Sequence, residues 1–169
     1  MTRLSPAARK ALLTLHLVTA LGWLGADLVL LTLGVAGLRG AAPGAVYPAA
    51  ALVATWLFAP LSVLVWLVGV ASALLTPWGL LRWRWVVVKL VLTTVMTGLV
   101  LFALTPNLRA AAGPDATAHQ RIDVVVAPAV STGLLVAMTV ISTWKPWGRT
   151  RRALPPRRRA AAATPAGHR

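Results

Sequence analysis

Four apolar runs, each long enough to cross a bilayer, constrain this 169-residue chain more than any motif it carries. They cover about 11–38, 49–75, 85–105 and 122–144. A spanning helix needs about 20 predominantly apolar residues, whereas a spanning strand needs only about ten. Lipid offers no partner to an unpaired backbone N–H or C=O, so runs of this length are helices. The expected fold is all-α: a polytopic membrane protein, four transmembrane helices in an antiparallel bundle. Turns at 39–48, 76–84 and 106–121 connect them, and connections this short make consecutive helices neighbours. Basic residues ahead of the first run (Arg3, Arg9, Lys10) give it the look of a signal peptide, but the run is too long. A retained signal-anchor helix is the expectation.

Charge sharpens the placement. Seventeen Lys and Arg stand against three Asp and no Glu, for a net charge of +14. An excess like this in a soluble domain suggests nucleic acid. Here the cations lie between and after apolar runs, so no nucleic-acid partner is expected. Sorted by position, 14 of the 17 fall on one side: the N-terminus over 1–10, the second turn with Lys89, and the tail over 145–169. Lys and Arg accumulate in cytoplasmic loops, which predicts cytoplasmic termini in a cell-membrane protein. Trp78, Trp83, Trp85, Trp144 and Trp147 fall at the same helix ends, where an indole suits the headgroup boundary. The Pro/Arg/Ala-rich tail has no apolar periodicity. It reads as a disordered polybasic segment attracted to anionic lipids.

Ionisable groups inside a span mark a functional site by default. The chain has three, His16, Asp27 and Lys89. At about 100° per residue, His16, Trp23 and Asp27 share one stripe of the first helix. Gly22 and Ala26 flank that stripe at a spacing that admits a neighbouring helix. His16 and Asp27 lie about 16 Å apart along the axis and cannot share a ligand. Asp27 has possible partners in Arg39 and Arg121. His16 and Lys89 start odd-numbered helices and fall at equal depth, about 6–8 Å into one leaflet. Thr93 and Thr97 continue the Lys89 face as a mildly polar stripe, and Thr132, Thr139 and Thr143 give the fourth helix a weaker one for helix–helix hydrogen bonds. Pro60 and Pro128 predict kinks, the first through a clash with the Trp56 carbonyl. Without cysteine there is no disulfide, thiolate zinc site or iron–sulfur cluster. No soluble-enzyme motif occurs, and no metal site is expected.

Two motifs carry a family resemblance. His16-x6-Trp23-x-Gly25 resembles the His-x6-Trp-x-Gly-Gly pattern of several bacterial four-helix membrane families, with Ala26 in place of the second glycine. Trp85-x3-Lys89-Leu90 resembles their Trp-x3-Lys-Leu pattern. Taken whole, the chain looks most like the uncharacterised domain-of-unknown-function 2269 family. It is more distantly similar to copper-resistance protein D-like membrane domains and HemJ-type protoporphyrinogen oxidases. The last resemblance implies haem- or redox-associated roles for His16 and Lys89. The leading expectation is a non-catalytic membrane component, working as a homo-oligomer or with a membrane partner. The alternatives are a haem- or metal-associated redox protein using His16 and Lys89, and a small proton-coupled transporter using Asp27.

Overall fold

The computed structural model describes residues 5–75 and 84–144. The tail over 145–169, together with Trp78, Trp83 and Trp147, lies outside them. The described residues form four long helices: α1 (Pro6–Leu38), α2 (Pro43–Leu75), α3 (Arg84–Ala111) and α4 (Ala118–Trp144). All four are long and apolar enough to cross a membrane. The shortest has 27 residues, or about 40 Å at 1.5 Å per residue, against a hydrocarbon core of about 30 Å.

Each helix begins before its apolar run, because local capping rather than hydropathy decides where a helix starts. Ser5 caps α1, its Oγ accepting the Ala8 N–H at 3.2 Å, and Pro6 occupies the first position. Part of the basic segment 1–10 is therefore helical. Likewise, Pro43 starts α2 inside the expected turn. In α4, Thr117 and Gln120 form a reciprocal capping box: the Thr117 N–H donates to Gln120 Oε1 at 2.8 Å, and the Gln120 N–H donates to Thr117 Oγ1 at 3.2 Å. At the end of α1, Gly40 has φ +95°. The Ala41 N–H reaches the Ala36 carbonyl and the Gly40 N–H the Gly37 carbonyl, a pairing that closes the helix and suits a glycine.

Two of the prolines follow π-helical turns. α2 takes up Pro60 through a π-helical turn at Ala54–Phe58, where the Ala59 N–H donates to the Ala54 carbonyl. α3 repeats this before Pro106, with a π turn at Val100–Leu104 and the Thr105 N–H on the Val100 carbonyl. A wider turn gives the pyrrolidine ring room that an α-helical turn denies it. α3 thus continues to Ala111 instead of ending at Thr105. α4 stays α-helical through Pro128, which is buried.

The molecule is apolar outside and holds its polar side chains inside. Phe102, Trp144, Trp56, Leu21 and Val18 are among many large apolar groups on the exterior, while Asp27, Ser62, Thr19 and Ser131 are buried. This is the arrangement of a multi-pass membrane protein. Contacts between helices recur along their length. Gly34 of α1 lies against Val124 of α4, and Asp27 against Ser131. On the other side of α1, Gly37 lies against Tyr47, Gly22 against Leu61 and Gly69 against His16. A Cβ on Gly34 would sit 2.7 Å from the Val124 carbonyl oxygen, so only glycine lets these two backbones meet.

Candidate functional site

The ionisable groups within the helices fall into two separate environments. The first is a sealed core. Trp23, Asp27, Leu30 and Phe58 are fully buried there. The Trp23 and Phe58 rings meet edge to face, with centroids 6.2 Å apart. Ser131 of α4 donates its hydroxyl to Asp27 Oδ2 at 2.6 Å. Asp27 Oδ1 and Trp23 Nε1 have no hydrogen-bond partner. Asp27 does not pair with Arg39 or Arg121. Instead the Arg121 guanidinium lies over the Tyr47 ring, 5.2 Å from its centroid.

The second environment is a cavity of about 780 Å³ bounded by all four helices, at the end where α1 and α3 begin. His16 and Lys89 both line it, with Trp66, Trp85, Thr93 and Ser142. Arg9 and Lys10 stand among its walls, together with apolar Leu13, Leu17, Val65 and Val86. Gly69 of α2 makes room for the imidazole: a Cβ there would lie 3.4 Å from His16 Cε1 and 3.9 Å from Nδ1. His16 Nδ1 is buried and has no partner among the described residues, while the His16 side chain as a whole lines the cavity. The Lys89 ammonium is not extended free into the headgroup region. It donates to Ser142 Oγ of α4 at 2.6 Å, and Ser142 in turn donates to the Met138 carbonyl at 2.8 Å.

The remaining candidates divide between these environments. Thr93 lines the cavity and donates to the Lys89 carbonyl at 2.7 Å. Thr97 is buried below it, its hydroxyl 3.5 Å from the Ser62 carbonyl oxygen. Of the threonine stripe expected to bind α4 to its neighbours, Thr139 and Thr143 turn back on their own helix, donating to the Leu135 and Thr139 carbonyls, and the buried Thr132 hydroxyl has no partner among the described residues. The cross-helix bonds come instead from Ser131 and Ser142, which the sequence reading passed over. A signal for them exists: Val124, Pro128, Ser131, Leu135 and Met138 are the buried residues of α4, a seven-residue repeat that continues to Ser142. Trp66 was also missed; its Nε1 donates to Thr94 Oγ1 at 2.9 Å and joins α2 to α3. Among the described residues no group of three His or acidic side chains is placed to hold a metal ion.

Comparison of the chain with family models, with curated proteins and with solved structures gives no match.

Proposed function

We propose that the chain is a non-catalytic component of the cytoplasmic membrane that holds a small ligand in the cavity between His16 and Lys89. In this reading the four spans are antiparallel, both termini are cytoplasmic, and the cavity opens in the cytoplasmic leaflet. The falling order of partners supports the antiparallel arrangement, since α1 residues 27 and 34 meet α4 residues 131 and 124. The distribution of Lys and Arg supports the orientation. The two motifs are what supports a resemblance to the uncharacterised 2269 family.

One observation carries the binding role: a single cavity receives polar side chains from different helices at membrane depth. Such space, walled mostly by apolar groups with a few converging polar ones, is the usual form of a small-molecule site. The test is intact-mass measurement of the full chain, purified in mild detergent. A bound non-protein species is expected on the parent chain and lost from Gly69→Leu, which fills the space beside His16. Bare protein in both preparations would sink the reading. For orientation, a C-terminal reporter active only outside the cytoplasm should stay silent.

A second reading is kept because an imidazole and three cationic side chains line one cavity. His16 would ligate a haem iron through its imidazole, and Arg9, Lys10 and Lys89 would pair with the two haem carboxylates. Lys89 Nζ is engaged by Ser142, so it does not stand free as a second ligand. A haem bound there would supply one-electron chemistry. The expected sign is a Soret absorbance reduced by His16→Ala; colourless protein from haem-replete cells, unchanged by added haem, would exclude it.

A further inference from the structure

The cavity has a charge imbalance that the chain cannot correct. Four of its lining residues carry or can carry positive charge: Arg9, Lys10, His16 and Lys89. No carboxylate lines it. The chain has only three acidic side chains, Asp27, Asp115 and Asp123, and all three are placed. Asp27 is enclosed in the core and bonded to Ser131. Asp123 lies 3.5 Å from His119 at the start of α4, about 28 Å along that helix from Ser142. Asp115 precedes α4 and stands at the same far end. No residue elsewhere in the sequence can bring a side-chain carboxylate to Lys89.

Lys89 is half-buried, and among the described residues a single hydroxyl is the hydrogen-bond partner of its ammonium. A cation at membrane depth is costly unless an anion or several good acceptors meet it. An ammonium has three donors, so a bond to Ser142 leaves two for something from outside the chain. The walls beyond the ammonium are Leu13, Leu17, Val65, Val86 and Leu90, a surface for a hydrocarbon chain rather than for a hydrated ion. Arg9 and Lys10, nearly two turns before His16, line the same space toward the start of α1.

We propose that the cavity takes the acidic head of an acyl amphiphile, one phosphate or carboxylate, with Lys89 as its counter-cation and the Leu/Val wall against its chain. This rests on the cavity being a ligand site and names the class of ligand. The head sits between Lys89 and His16, and Arg9 and Lys10 hold any further negative charge at the mouth. The acid is either a phospholipid headgroup or a free fatty acid; both present the same oxygen acceptors to Nζ.

The experiment is native mass spectrometry of the delipidated full chain, titrated in parallel with dioleoylphosphatidylglycerol, dioleoylphosphatidylcholine, oleic acid, oleyl alcohol and inorganic phosphate. At least one acidic amphiphile is expected to bind about tenfold tighter than its neutral counterpart, and phosphate alone to bind weakly. Preference for the glycerol lipid over the choline lipid identifies a headgroup as the source. Preference for oleic acid over oleyl alcohol identifies a free acid. Lys89→Gln should reduce the preference to twofold or less, Lys89→Arg should retain it, and Arg109→Gln, a cation on the far end of α3, should leave it unchanged. Equal binding of acidic and neutral amphiphiles overturns the inference but keeps the cavity as a binding site. Binding of none of them overturns both. A preference that survives Lys89→Gln removes Lys89 from the role, and Lys89→Arg shows that the position tolerates change.

Discussion

The two halves of α1 differ in what they do with polar groups. The Trp23 and Asp27 side chains are fully enclosed on the inner face of the helix, and the carboxylate takes its hydrogen bond from within the fold, through Ser131. Around His16 the same helix faces open space, and the nearby ammonium finds one hydroxyl and no carboxylate. Both regions would count as buried polar sites in a sequence. Only the second has room for a ligand beside its polar groups; in the first, Asp27 Oδ1 and Trp23 Nε1 lack partners among the described residues but are enclosed by side chains. A polar group inside a membrane protein can hold helices together or await a ligand, and these two sites separate the roles by whether the partner is another residue.

This contrast can be broken by mutation. Trp23→Ala should cost the most, about 3–5 kcal/mol, because a fully buried ring leaves a cavity that its neighbours cannot refill. Trp56→Ala, at a side chain 77% exposed, is the matched control and should be near neutral. Reversible unfolding in mixed micelles measures both. Ser131→Ala should cost about 1–3 kcal/mol, since it strips Asp27 Oδ2 of its donor in a closed site. A neutral result there would mean that the core opens to water. Lys89→Met should change stability by less than about 1 kcal/mol, because removing an uncompensated cation offsets the lost bond to Ser142. A loss as large as that of Ser131→Ala would make Lys89 a structural residue and erase the distinction. Thr139→Val should be the smallest, within about 0.5 kcal/mol, as its hydroxyl only doubles back on its own helix.

How much of this was legible follows from what lipid enforces. The four helices could be counted because backbone pairing and span length leave no other solution. That His16 and Lys89 fall at one end of the bundle followed from the order of the spans, but order gives no direction, and the shared cavity depends on how α1 turns against α3. The π turns were hidden because a proline marks where a helix must adjust without saying how. Ser131 and Ser142 escaped notice for a different reason. In a water-soluble helix the buried stripe stands out against a charged face, but α4 is apolar on its lipid side too, so its interior face has little contrast. The clue was the seven-residue spacing itself.

The contact at Gly34 has a mechanical consequence. Two stiff rods touching near one end have a separation at the other end set by the angle at the touch point. α1 and α4 meet backbone to backbone at Gly34 and Val124, and His16 lies about 27 Å further along α1. The angle there is defined by a residue with no side chain and braced by the Asp27–Ser131 bond part-way along the arm. The width of the space beside His16 is therefore governed from the far end of the helix pair. One added methyl group at position 34 would act on a pocket it never touches, by leverage.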